Sequence, residues 1–102
     1  MKPFIIQTTT SSKKEAKKIA KLLIQKKLVA CIQISKINSF YKWDGQVCED
    51  KEYLLNIKTK KENYKKIERE IKENHSYDLP EIIGTKIVSL SKEYKNFINE
   101  SC

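Results

Sequence analysis

The chain is 102 residues long, 39% hydrophobic and 33% charged, with a net charge of +8. That length allows one hydrophobic core, and with only two glycines and two prolines it excludes collagen-like, low-complexity and disordered classes. The charge is uneven: residues 1–43 carry ten lysines against one acid, Glu15, whereas residues 44–102 carry eleven bases and twelve acids.

Apolar runs such as Leu22–Ile24 and Leu28–Ile32 fall far short of the roughly 20 residues that a membrane helix requires. Residues Met1–Gln7 lack the apolar region of a secretory signal. Three cysteines, Cys31, Cys48 and Cys102, with no C-x-x-C pair, suit free thiols in a reducing compartment. The expectation is a cytoplasmic protein with no membrane partner.

In chain order, Lys2–Thr9 opens with Phe4-Ile5-Ile6 and predicts a first strand. Ser11 or Ser12 can cap a helix in which Ala16, Ile19, Ala20, Leu23 and Ile24 share one face and Lys14, Lys17, Lys18 and Lys21 another. That helix should end near Lys26 or Lys27, where cations suit its dipole. Leu28–Tyr41 alternates, with Ala30, Ile32 and Ile34 pointing one way and Cys31, Gln33 and Ser35 the other, and it continues into Phe40-Tyr41-Lys42-Trp43. Asp44-Gly45 signals a two-residue turn, after which Tyr53, Leu55 and Ile57 alternate within Val47–Thr59.

The two arms of this hairpin, at about 13 residues each, exceed the usual strand of 5 to 6. The hairpin therefore either projects beyond its sheet or carries a bulge. Lys61–His75 places Tyr64, Ile67, Ile71 and His75 on one helical stripe, with Glu62–Lys66 and Glu68–Lys72 as i, i+4 pairs. Pro80 leads into an extended run, Glu81–Leu90, and Ser91 can cap a short helix with Tyr94, Phe97 and Ile98 on its apolar face. The order βαββαβ with a tail helix predicts an α+β, ferredoxin-like split βαβ fold. It is read as a single domain over residues 1–102, with right-handed crossovers placing both main helices on one sheet face.

Four ordered segments then carry a resemblance: Lys26-Lys27-Leu28-Val29-Ala30-Cys31-Ile32-Gln33-Ile34, Ser39-Phe40-Tyr41-Lys42-Trp43-Asp44-Gly45, Glu52-Tyr53-Leu54-Leu55-Asn56-Ile57-Lys58-Thr59 and His75-Ser76-Tyr77-Asp78-Leu79-Pro80-Glu81-Ile82. In order and spacing the chain resembles the CutA family of divalent-cation tolerance proteins over nearly its whole length. The resemblance implies a homotrimer, a cytoplasmic setting in bacteria or an organelle-linked one in eukaryotes, and a link to copper binding and the response to metal ions. It also implies where a metal would sit. The positions matching the ligands of copper-binding members are Thr8, Asn74 and His75, and of these His75 alone keeps a donor suited to copper. Ser76 stands where the family usually has proline.

Each candidate also has a plainer reading. His75, the sole histidine, is either a metal ligand, with Glu81 or with its copies in a trimer, or an imidazole packed on the apolar stripe and bonded to backbone. Cys31 reads as a small hydrophobe, Cys48 sits beside Glu49 and Asp50, and Cys102 is expected to be exposed. Phe40, Tyr41, Trp43 and Tyr53 could stack bases, but a long projecting hairpin rich in aromatics suits a subunit interface better. The lysine face reads as solvated, so no nucleic-acid partner is expected. No nucleophile triad, H-E-x-x-H or phosphate loop is present, and Glu52, Asp78 and Glu81 stand singly, which argues against an enzyme. The alternative function is a PII-like trimeric regulatory module binding an anionic small molecule between subunits, an analogy at the level of fold.

Overall fold

A computed structural model describes all 102 residues. The elements are β1 (Pro3–Thr10), α1 (Lys13–Gln25), β2 (Cys31–Trp43), β3 (Gln46–Lys60), a 3₁₀ turn (Lys61–Asn63), α2 (Tyr64–Glu73), β4 (Ile82–Lys86) and α3 (Lys92–Ser101). The sheet order is β2-β3-β1-β4, with each neighbouring pair antiparallel. The first crossover thus skips over β3 and the second over β1, which makes the predicted split βαβ arrangement.

Alternation decides which face is the core. Phe4, Ile6, Thr8 and Thr10 of β1 lie on one face with Leu55, Ile57 and Thr59 of β3, and all seven are buried. Ala16, Ile19 and Leu23 of α1 and Ile67 and Ile71 of α2 close over that face. On the other face Ile5, Gln7, Leu54 and Asn56 are half-buried and Ile83 is exposed, with Gln7 Nε2 donating to Asn56 Oδ1 at 2.8 Å.

Helix α1 starts where Ser12 turns to extended backbone and its Oγ accepts the Glu15 N–H at 3.1 Å. It ends in a Schellman motif: the Leu28 N–H donates to the Leu23 carbonyl at 3.2 Å and the Lys27 N–H to the Ile24 carbonyl at 3.0 Å. Lys27 sits at φ 56°, a left-handed position usually taken by glycine. This motif occupies Leu28, so β2 begins at Cys31 and not at Leu28 as the alternation suggests.

Two other spans differ from expectation. Helix α2 ends at Glu73 with Asn74 beyond it, so His75 leaves the helical stripe that the spacing assigned to it. Strand β4 stops at Lys86, paired with Phe4, because β1 has only Pro3 beyond that point to receive it, through the Ile87 N–H at 3.2 Å. The Glu–Lys pairs expected within α2 are replaced by a bond between helices, Lys26 Nζ to Glu70 Oε1 at 2.8 Å, while Glu68 accepts from the Tyr64 hydroxyl at 3.2 Å.

The hairpin runs in unbroken register from Cys31↔Lys58 to Trp43↔Gln46, so it has no bulge. Asp44 (φ 50°) and Gly45 (φ 73°) make its type I′ turn. Since β1 ends at Thr10↔Tyr53, residues 37–52 form a two-stranded ribbon projecting past the sheet, in a molecule measuring 45 × 26 × 21 Å.

Gly84 pairs with Ile6 on the helix-covered face, beneath the edge-to-face pair of Phe4 and Tyr64 with centroids 6.1 Å apart. A Cβ there would fall on the Phe4 ring and lie 3.2 Å from Tyr64. Gly84→Ala should therefore lower the unfolding free energy by about 1–3 kcal/mol, the usual effect of overpacking. Urea denaturation checks this, and a variant as stable as the parent would show that the ring pair yields freely.

Candidate functional site

Where β1 ends, the chain leaving α2 crosses the end of the sheet as the segment His75–Glu81. His75 fixes this segment. Its imidazole is fully buried; Nδ1 accepts the Tyr77 N–H at 3.0 Å, which places the ring proton on Nε2, and Nε2 donates to the Thr9 carbonyl at 2.7 Å. In this tautomer the 3.8 Å approach of Nδ1 to Glu15 Oε1 is not an ion pair. The Glu15 carboxylate instead accepts from the Ser76 N–H and the Ser76 hydroxyl, each at 3.1 Å. Glu15 lies in the first turn of α1, where the helix dipole favours a negative charge. Ser76 thereby bonds α1 through a hydroxyl and an N–H that proline lacks.

Tyr77 carries the segment to the ribbon. Its ring packs on His75 with centroids 4.9 Å apart, and its hydroxyl donates to Glu52 Oε2 at 2.8 Å. On the ribbon itself the Tyr41 hydroxyl donates to Asp50 Oδ2. These bonds frame a cleft of about 590 Å³ lined by Tyr41, Trp43, Cys48, Asp50 and Glu52 on one side and Ser76, Tyr77, Asp78 and Leu79 on the other. A second cleft of about 380 Å³, which reaches Thr9 and Glu81, shares Tyr41, Glu52, Tyr77 and Leu79 with it.

Among the metal candidates, the structure brings no donor set together. Both His75 nitrogens are engaged, Asn74 Nδ2 donates to the Glu70 carbonyl at 2.8 Å, and Thr8 Oγ1 is buried on the helix-covered face without a partner. No group of three or more His, Cys, Asp or Glu side chains converges anywhere in the chain. The residues present therefore do not fit copper, which favours several imidazole or thiolate donors.

The cysteines are separate free thiols. Cys48 Sγ contacts the Gln46 carbonyl at 3.9 Å. Cys102 is half-buried and not exposed as expected, since its Sγ donates to the Ile98 carbonyl at 3.3 Å and lies 3.8 Å from Thr59 Oγ1. The aromatic cluster is divided by the pleat. Tyr41 and Trp43 share the cleft face with Asp50 and Glu52, while Phe40 and Tyr53 lie on the opposite face. Sequence reasoning missed Tyr77 and Glu15; the signal for Glu15 was its position as the only acid among ten lysines.

Both clasping phenols resist ionisation. Burial, then the bond to Glu52, pushes Tyr77 up to about 12, and the bond to Asp50 does the same for Tyr41. A raised phenol favours folding while protonated, so this contribution is complete below pH 10.0 and is lost as pH rises through about 12. In an ultraviolet titration two of the five tyrosines should ionise near 12, and Tyr77→Phe should delete one of those late steps. Ionisation of every phenol near 10 would contradict the two bonds.

Against known proteins, residues 4–101 match the family model described as CutA1 divalent ion tolerance protein. The chain is 38% identical over 96 residues to the divalent-cation tolerance protein CutA of Archaeoglobus fulgidus, covering 94% of each, and 35% identical over 98 residues to that of Thermus thermophilus, covering 95% of each. The solved structure of the periplasmic divalent cation tolerance protein CutA from Archaeoglobus fulgidus superposes with a TM-score of 0.94 at 36% identity, over 97% of both chains. Motif order, split βαβ topology and near-complete overlap agree, and the chain belongs to the CutA1 divalent ion tolerance family.

Proposed function

We propose that the protein serves divalent-cation tolerance as a homotrimer and not as an enzyme, in the cytoplasm. The observation that carries this reading is an unfinished surface. The ribbon holds Phe40 (67% exposed), Trp43 (63%) and Val47 (79%) in solvent, the outer edge of β2 is unpaired along its whole length, and one sheet face is only half covered. Exposed aromatics and a long free edge are what a subunit interface conceals, and three copies is the number that the resemblance to CutA proteins implies. The relatives carry names of tolerance proteins and not of enzymes. A reducing cytoplasm would keep Cys31, Cys48 and Cys102 as free thiols.

The PII-like alternative gains no support, because the clefts beside the ribbon are lined by Asp50, Glu52, Asp78 and Glu81, which repel an anion. Light scattering should give a mass three times 12.0 kDa, and a 12.0 kDa species would remove the homotrimer. Copper is the narrower part of the reading, since His75 would have to release the Tyr77 N–H to reach a cation. A Cu(II) titration of His75→Ala should therefore match the parent within about twofold, the change expected when no ligand is lost. A tenfold loss of affinity would return His75 to the ligand set.

A further inference from the structure

We infer that the outer face of α1 binds a linear polyphosphate chain through Lys13, Lys14, Lys17, Lys18 and Lys21. Helix α1 buries Ala16, Ile19 and Leu23 against the sheet, and these five exposed lysines fill its opposite side over about 12 Å, at 1.5 Å per residue. They stand on the far side of the helix layer from the half-covered sheet face that the homotrimer reading assigns to contact between subunits. On one helix, cations three or four residues apart repel. Lys13–Lys17, Lys14–Lys18, Lys17–Lys21, Lys14–Lys17 and Lys18–Lys21 are all such pairs, and Lys13 and Lys14 also occupy the first turn, where the helix dipole opposes a cation. Helix α2, in the same layer, instead intersperses Glu68, Glu70 and Glu73 with Lys65, Lys66, Arg69 and Lys72.

Nothing within the chain offsets this repulsion. The one acid of α1, Glu15, directs its carboxylate to the Ser76 N–H and hydroxyl. No lysine of the stripe has a carboxylate within 4.0 Å; the contacts of that kind are Lys26–Glu70 and the His75–Glu15 approach. The lysines that donate hydrogen bonds are Lys26 and Lys58, neither of them on the stripe. A local rule broken without an internal gain points to function, and the counter-charge missing here is an anion with several charges in a row. The stripe also selects among polyanions. It carries no arginine to read a base edge and no aromatic ring on which a base could stack, so it fits the phosphate chain alone. The link to divalent cations rests on the tolerance reading. A phosphate chain holding a few divalent cations remains a net anion, so the stripe can retain cations that a chain of net charge +8, with no three donors converging, does not attract by itself.

The test is calorimetric titration of the full-length protein with inorganic polyphosphate, using orthophosphate and an oligo-dT of similar charge as controls. Saturable binding of polyphosphate and not of orthophosphate is expected, with a log–log salt slope of about −3.5, from five contacts at about 0.7 each. The triple variant Lys14→Gln, Lys17→Gln, Lys21→Gln should lose at least about tenfold in affinity at low salt and lower the size of that slope by about 2. Its melting temperature should stay level or rise, because like-charge pairs are relieved. The triple variant Lys65→Gln, Lys66→Gln, Lys72→Gln removes the same charge from α2 and should change affinity by less than about threefold. Protein immobilised on a resin should retain Mn²⁺ only when polyphosphate is present.

The inference is overturned if polyphosphate does not bind, if both triple variants weaken it equally, or if oligo-dT binds as tightly with the same dependence on α1. It is also overturned if the α1 variant lowers the mass of the assembly, which would make a neighbour's acids the counter-charge. Retention of Mn²⁺ without polyphosphate would overturn the link to cations. A homotrimer that serves cation tolerance and binds no polyphosphate would end this inference and leave that reading standing.

Discussion

Strand length governs this molecule. β1 spans 8 residues, whereas its neighbour β3 spans 15 and the outer strand β2 spans 13. A ladder can extend only as far as its shorter member, so β3 loses one partner at Tyr53 and continues with β2 alone. Inside that boundary the sheet is four strands wide with two helices packed on one face. Outside it, each ribbon residue has one neighbour strand, and only the segment after α2 approaches one of the ribbon's faces, where Tyr77 meets Glu52. The boundary also exposes the end of β1, which must be closed by something other than a strand.

The closure draws on every layer. His75 holds the Thr9 carbonyl of β1, Glu15 of α1 holds Ser76, and Tyr77 holds Glu52 of β3. Hydrogen bonds of this kind contribute about 1 kcal/mol each, and more where a carboxylate accepts. Their larger effect is positional, because three anchors on three elements leave the segment little freedom to shift as a unit. Thr8 Oγ1, buried without a partner just beneath this closure, works against it by about 1–3 kcal/mol.

Most of the fold was legible because it rests on local rules. The 3.6 period of Ala16, Ile19 and Leu23, the 2 period around Leu55 and Ile57, and Asp44-Gly45 each specify a structure without reference to distant residues. What escaped depends on tertiary partners. The early end of β4 follows from where β1 begins, and the exit of His75 from α2 follows from a bond to a residue 66 positions away. The site was half legible: His75 was singled out as the sole histidine, yet its role as an anchor comes from the Tyr77 N–H occupying the lone pair that a metal would need. Tyr41 and Trp43 stand out as part of an aromatic cluster, but Tyr77, which faces them from the far side of the cleft, stands in the His75–Ile82 segment with no periodicity to show that its hydroxyl reaches Glu52.

The single tryptophan of the chain lies on the ribbon and not in the core. Intrinsic fluorescence therefore reports on an appendage. Emission from Trp43 senses whatever covers or leaves the ribbon and is nearly blind to the packing of Ile6, Leu23 and Ile67, which only backbone circular dichroism follows. The two signals need not coincide during denaturation, and a gap between them would measure how independently the ribbon and the sheet come apart.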